Sequence, residues 1–519
     1  MISVSDAWKD IQQRFLLPET FIEIEYGVTD NEAQSVASAS GTDEALFSNV
    51  ASVVGSSAIT KYVTNELNLW ALDGSLTLRP SSGAYDNTGY VSNIASTGSV
   101  TIHFPAIRTT AISGITITWS DTFGEYPRVF SVIGRNGSNI VSEVTVTNNK
   151  EKVSAVFIQL ENYDSITVIV HDWNLPYRRA RIEKIVVGHS LTFTKSDLLS
   201  FKHEQNGDLL SGELPKYSIT FSLDNSDGRW DPNNPEGMAQ YLSERQKLTV
   251  RYGLDVNGTI EWIQGGVFYL SEWNAPPNGI EAQFVARDVF EFLIATDTTK
   301  LPNMSSTQYG NLSNIVTWAT FTHLPDGASI VMADALKNSK GRQYGADGTY
   351  AEMVQKCANA ACCIIRYDRN GVLYIEPLNE ALADYIPIVP GVSGIPLSVS
   401  YTYPEITLSK PLGAVVVDYG GEAPYQLNVG DNGEIQTLTN DYILNVDSAT
   451  TVGNWVSKVL KMRKTISGEF RADPRLDLFD IVNVEDRYGR VLKVAITNIT
   501  YTFTGAFRGT FTGRVIEEV

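Results

Sequence analysis

Cysteine is nearly missing from this chain of 519 residues, whose only three thiols, Cys357, Cys362 and Cys363, sit in one short segment. An odd number in one place does not frame a disulfide-stabilised fold. The spacing fits neither a zinc pattern nor a C-x-x-C redox pair, so these thiols read as buried packing. The five histidines, His103, His171, His189, His203 and His323, are scattered, and none stands in an H-E-x-x-H arrangement. A Gly-x-Ser-x-Gly elbow, a Walker loop and a Gly-x-Gly-x-x-Gly turn are also absent. Carboxylates such as Glu143, Asp172 and Glu376 are plentiful, but a glycosidase needs two of them at a set separation across a cleft, which sequence spacing does not supply. These absences predict a protein that is not an enzyme and has no cofactor and no metal.

Long apolar runs are missing too, since no stretch approaches the ~20 residues needed to cross a bilayer. Met1–Asp10 lacks a basic segment followed by an apolar one, so it is no secretory signal. Both absences predict folding in the cytoplasm without a membrane span. Positive charge is scarce: 40 basic residues face 59 acidic ones, for a net charge of −19. That excludes a nucleic-acid grip built by neutralising phosphates. The excess suits a solvated acidic surface and, in a channel, a wall past which a phosphate backbone slides.

What is present is enough for several cores. The length suggests roughly three or four domains, and 43% hydrophobic against 19% charged residues predicts globular folding. Near the start, Ser5 caps a predicted helix whose stripe is Trp8, Ile11 and Phe15. Phe21–Tyr26 alternates apolar with acidic residues as a strand does. From about Asn31 to Ser57, Ser, Ala, Gly, Asp and Thr predominate, which reads as a linker or a long irregular entry rather than packed structure. Short strands follow at Thr101–Phe104, Ile115–Trp119, Val129–Ile133, Val144–Val146, Val156–Leu160 and Ile166–Val170. Without helical periodicity, such a series predicts a two-sheet antiparallel sandwich.

Further on, Gly265–Trp273 and Glu281–Asp288 read as strands, and Asn314–Trp318 and Tyr350–Ala358 as helices. Asn370-Gly371 predicts a type I′ hairpin turn, with positive φ at both residues. Val452, Trp455, Val456, Val459 and Leu460 mark one face of a helix. A β-meander closes the chain: Leu492, Val494 and Ile496 alternate, then Ile499, Tyr501 and Phe503, then Phe507, Phe511 and Val515. Asp224–Pro235 clusters Asp and Asn around a Gly as a calcium loop does, but its twelfth residue is Pro235 instead of Glu, so it reads as a turn.

Leu214-Pro-Lys-Tyr-Ser-Ile-Thr-Phe-Ser-Leu-Asp-Asn-Ser-Asp-Gly-Arg-Trp-Asp-Pro-Asn-Asn-Pro235 and Phe470-Arg-Ala-Asp-Pro-Arg-Leu-Asp-Leu-Phe-Asp-Ile-Val-Asn-Val484 together resemble the tail hub proteins of long-tailed phages of Gram-positive hosts. Asn68-Leu-Trp-Ala-Leu-Asp-Gly74 and Pro176–Gly188 resemble the two ends of galactose-binding-like jelly rolls of the carbohydrate-binding-module type. The combined resemblance implies a mainly β, multidomain fold. A first tube-like β-barrel hub domain would comprise residues 1–30 and 189–295, with a β-sandwich inserted at 31–188. An α+β domain at 296–403 and a second tube-like barrel at 404–519 would follow.

By the same resemblance the chain is a structural protein of the virion tail tip or baseplate, assembled in the host cytoplasm as a homotrimer. Its ring would match a sixfold tail tube to a threefold tip. The implied partners are a distal tail protein ring, a tape measure protein, tip or fibre proteins, and genomic DNA passing without specific binding. No lysin or fibre segment is recognisable after the final meander, which assigns penetration and adsorption to other proteins.

The sandwich opens a second function, contact with a cell-wall polysaccharide, for which jelly rolls set aromatic faces against sugar rings. Trp119 and Tyr126 flank the loop Ser120–Glu125, and Trp173, Tyr177 and Arg178 lie in His171–Arg179. The same aromatics would equally fill the core, with the arginines paired to acidic neighbours. Asp73 orders its turn or contributes to a structural calcium site. A carbohydrate-binding adsorption protein and a cell-wall hydrolase are the alternative functions.

Overall fold

The computed structural model describes residues 2–12, 14, 19–29, 31–45, 48–54, 89–109, 111–120, 123–234, 239, 242, 244–275, 279–294, 310–321, 323–325, 328–342, 348–381, 387–388 and 403–518. Phe15, Asn68–Gly74 with Asp73, and Pro235 lie outside them. The chain forms two compact units, Glu25–Thr192 and Met1–Ile24 with Phe193–Val519. The architecture is mainly β and built of several sheets.

In the smaller unit, a five-stranded antiparallel sheet runs in the order Ser38–Thr42, Gly98–Arg108, Tyr163–Trp173, Pro127–Asn136, Asn139–Val146. Opposite it, Ile112–Thr118 pairs with Val153–Leu160 on one side and with residues 184–187 on the other. Alternate residues of both sheets, among them Val100, Val132 and Val168 against Ile115, Ile117 and Ile158, fill one core. This is the expected sandwich.

The expected linker is corrected. Asn31–Val36 is a helix, Ser38–Thr42 is the edge strand, and Ala33 and Val53 are buried in the core. Its small residues have a packing reason: a Cβ added at Gly41 would lie 2.8 Å from the Tyr90 ring. The Tyr90 hydroxyl in turn donates to Thr42 O at 2.7 Å. A sequence kept small for close approach reads as a flexible one.

In the larger unit one long open sheet runs in the order Glu405–Leu408, Lys464–Phe470, Phe507–Glu518, Val491–Phe503, Leu198–Asn206, Lys216–Asp224, Glu281–Arg287, Thr259–Asn274, Lys247–Val256 and then residues 20–24. Among the described residues it does not close into a barrel. The strands after Lys464 join those before Arg287 through one antiparallel pairing, Phe201↔Phe503 to Asn206↔Asn498.

Ser5 caps the first helix, Asp6–Gln12, by accepting from Trp8 N at 3.1 Å. The stretch after Lys216–Asp224 is a turn, as expected: its carboxylates and Asn225 accept from nearby backbone N–H groups, and Trp230 folds under to meet Phe284 edge-on at 5.1 Å.

Helices Leu312–Phe321 and Tyr350–Ala360, the latter started by a Thr349/Glu352 capping box, cover the small sheet Ser329–Met332, Val372–Glu376, Ile364–Tyr367. The hairpin within it is not type I′. Gly371 has φ of 88°, but Asn370 is not in the left-handed region. The loop is longer, and Asp368 closes it by accepting from the backbone N–H of Asn370 (2.9 Å) and Val372 (2.8 Å). Helix Val446–Leu460 packs on a second small sheet, Tyr425–Asn428, Leu412–Asp418, Glu434–Thr439.

Candidate functional site

The two loops singled out in the sandwich do meet, around a carboxylate. Glu125, 1% exposed, accepts from Trp173 Nε1 at 2.8 Å and lies 3.3 Å from Arg178 Nε and 3.8 Å from Arg181 Nη1. Backbone bonds hold the loops together, Asn174 N donating to Tyr126 O at 3.0 Å. Two guanidiniums beside one buried anion offset the cost of taking each charge out of water.

Four of the five expected ligand residues therefore serve packing. Trp119 is fully buried, edge-on to Phe130 and Trp173, and its Nε1 donates to Ser154 Oγ at 2.7 Å. Trp173 is equally buried, so neither indole presents a face to solvent. Tyr126 packs half-buried on the core and Arg178 is buried beside Glu125. Tyr177 alone stands out, 70% exposed at φ of 62°. Glu125 and Arg181 were missed as the centre of the cluster. The signal available was three arginines within four residues, Arg178, Arg179 and Arg181, needing acidic partners.

The second concentration of polar groups is in the larger unit, where the residues after Phe470 make a collar of backbone carbonyls around Arg369. Its guanidinium is 4% exposed, donates to Leu476 O at 2.6 Å and to Pro474 O, and lies 3.7 Å from Asp477. It also sits over the Tyr252 and Tyr501 rings, at 5.8 and 5.9 Å from their centroids. The Tyr501 hydroxyl donates to Leu476 O (2.7 Å) and Asp473 O (3.0 Å).

Arg475 grips Asp473 at 2.7 Å, and Gln12 Nε2 donates to Ala472 O at 3.0 Å. Thus one loop ties together the sheet, the amino-terminal helix and the hairpin. The Arg369, Tyr501 and Gln12 donors meet backbone carbonyls that burial would otherwise leave unsatisfied.

His203 lies beside this collar, its Nδ1 2.7 Å from the Tyr252 hydroxyl. Burial and the Arg369 charge hold its pKa well below the ordinary imidazole range, which leaves it neutral. His103 and His171 bond Ser40 and Ser131, both at 2.8 Å, and His323 meets the Tyr350 ring edge-on at 4.1 Å. The side chain of His189 is outside the described residues. Burial pushes the Cys363 thiol up to about 12, far from a reactive thiolate. Among the described residues no three His, Cys, Asp or Glu side chains gather to hold a metal ion.

Solved structures that align with the chain include a 43 kDa tail protein of prophage MuSo2 from Shewanella oneidensis, 12% identical, over 63% of this chain and 95% of that one, with a TM-score of 0.43. A tail protein from Neisseria meningitidis aligns at 9% identity over 63% of this chain and 94% of that one, with a TM-score of 0.46. The family 32 carbohydrate-binding module of C. perfringens NanJ, solved with galactose, aligns at 16% identity over 33% of this chain and 99% of that one, with a TM-score of 0.20. No protein-family description and no curated protein matches the sequence.

Proposed function

We propose that this chain is a structural hub protein of a phage-type tail, assembling as a homotrimeric ring at the tail tip. The observation that carries the reading is the pairing of Leu198–Asn206 with Val491–Phe503, which places both hub-like stretches in one sheet. Each chain then offers two strand-rich halves edge to edge, residues 198–287 and 464–518, and three copies offer six. Such a ring adapts sixfold to threefold symmetry through closed, repeated interfaces.

In this reading residues 1–30 and 189–295 form the first hub domain, interrupted by the sandwich at 31–188. The α+β part at 296–403 and the second hub domain at 404–519 complete the chain. The ring meets a distal tail protein ring, a tape measure protein and tip or fibre proteins, and its acidic excess lets DNA pass without being held. The collar around Arg369 suits this role, because a part that transmits load benefits from buried, hydrogen-bonded joints.

Light scattering on the purified protein at micromolar concentration is expected to give three chain masses. A monomer or dimer that persists at the highest concentrations contradicts the reading.

Contact with host glycan by the smaller unit rests on Tyr177, the one exposed aromatic of the candidate set. On a glycan array the full chain is expected to bind cell-wall polysaccharide and Tyr177→Ala to lose it, whereas an array without signal makes the sandwich a spacer. A zymogram on host walls is expected to show no clearing.

A further inference from the structure

We propose that the groove at the carboxyl end of helix Val446–Leu460 docks an extended segment of another protein in which acidic and aliphatic residues alternate. The proposal is independent of the tail reading. The groove encloses about 800 Å³, and four cations, Lys458, Lys461, Arg463 and Lys464, line it against one carboxylate, Glu517. In a chain of net charge −19 this is a local reversal of sign. The surrounding field repels anions, so an acidic ligand gains at this groove only through close contact.

Helix capping does not account for four cations. The last carbonyls already have donors: Ser457 O takes Lys461 N at 3.0 Å, and Val459 O takes Met462 N at 3.1 Å and Arg514 Nη1 at 3.3 Å. The partial charge of the helix end, about half an electron, is matched by a single cation. Among the described residues, internal bonding engages Lys458, Arg463 and Lys464 and leaves out Lys461. Lys458 Nζ meets Glu380 at 2.6 Å and Arg463 Nε donates to Ser409 O at 2.9 Å, while Glu517 lies 3.9 Å from Lys493. Lys461 is exposed and makes no side-chain bond among the described residues.

The walls choose between classes of anion. Leu408 (61% exposed), Leu427, Val429, Met462 and Val515 are aliphatic, and among the described residues no aromatic side chain lines the groove. Single-stranded nucleic acid binds by stacking bases on aromatic rings, whereas aliphatic walls between cations match alternating apolar and acidic side chains. Among the described residues the wall strand Glu405–Leu408 ends its sheet, pairing on one side, with Lys464–Phe470. Its outer edge offers backbone groups to a chain laid alongside.

The test uses the full chain and a short fluorescein-labelled peptide alternating Glu and Val, read by anisotropy at low and high salt. Its controls are the same peptide with Lys for Glu and a labelled oligothymidylate. The Glu–Val peptide is expected to bind about tenfold or more tightly than either control, and to weaken with salt. Lys461→Glu, exposed and so compatible with folding, is expected to weaken it about tenfold. Leu408→Ser is expected to weaken it with the salt dependence unchanged. Equal binding of the two peptides, tighter binding of the oligonucleotide, no binding of the Glu–Val peptide, or indifference to Lys461→Glu overturns the proposal. The light-scattering mass of Lys461→Glu, expected to equal that of the parent, separates this outcome from failure of the ring.

Discussion

Arg369 stands in a hairpin loop, where a long cation ordinarily meets water, yet it is buried within the larger unit's collar. Its neighbours explain why: Leu476 O, Pro474 O, Asp477 and two tyrosine rings together replace its hydration. Arg369→Ala is expected to lower unfolding stability by roughly 3 kcal/mol or more in urea denaturation, because it strands those acceptors. Arg369→Lys should recover little of this, lacking the planar fork.

Glu125→Gln is expected to cost a similar amount, roughly 3 kcal/mol, by leaving Arg178 and Arg181 without their anion. Loss of near-ultraviolet dichroism from Trp173 would report it.

Asp288 adds a pH dependence. Burial pushes its carboxyl up to about 7, although its oxygens accept from Tyr217 N and Phe290 N, both at 2.8 Å. Between the ordinary carboxyl value and about 7 the folded chain holds a proton that the unfolded chain does not. Its contribution to stability therefore falls as pH rises through that window and levels off above it. Thermal melts at pH 5 and pH 8 are expected to show a larger fall for the parent than for Asp288→Asn.

None of these three roles could be assigned to its residue from the sequence, where only the arginines at 178, 179 and 181 asked for an acidic partner. Burial of Arg369, Glu125 and Asp288 is decided by residues more than 45 positions away in each case, among them Leu476, Trp173 and Tyr217. Trp119 and Trp173 show the converse, since the features that suggested a ligand face also suit a core.

Elements were more readable, because alternation is set locally. The closing meander shows how far this goes: inward residues are even-numbered at Leu492, Val494 and Ile496, then odd at Ile499, Tyr501 and Phe503. The change of phase is a register shift between Ile496 and Asn498, where an extra residue enters the strand.

The linker reading at 31–57 failed for the opposite reason, since small residues there serve close packing against Tyr90. The hairpin failed at the turn type alone. Asp368 spans the loop, and only Gly371 needs positive φ. A Cβ at Gly371 meets nothing nearer than 3.5 Å, so Gly371→Ala should cost only backbone strain, about 1–2 kcal/mol by chemical denaturation. A larger loss would mean that the hairpin tip, with Arg369, had been displaced.

At the scale of the molecule, the mainly β architecture followed from strand series and turn residues, whereas the joining of distant strands into one sheet did not. Leu198–Asn206 and Val491–Phe503 are nearly 300 positions apart, and only the resemblance of two short stretches hinted at their kinship. Among the described residues the sheet does not close, and a strand edge left uncovered favours pairing or cover by other chains.

Averaged electron images of the purified protein viewed down its ring axis test this account most directly. Three copies around a central opening, with six similar strand-rich lobes lining it, are predicted. A particle without threefold symmetry, or three copies whose inner wall shows only one such lobe each, would contradict it.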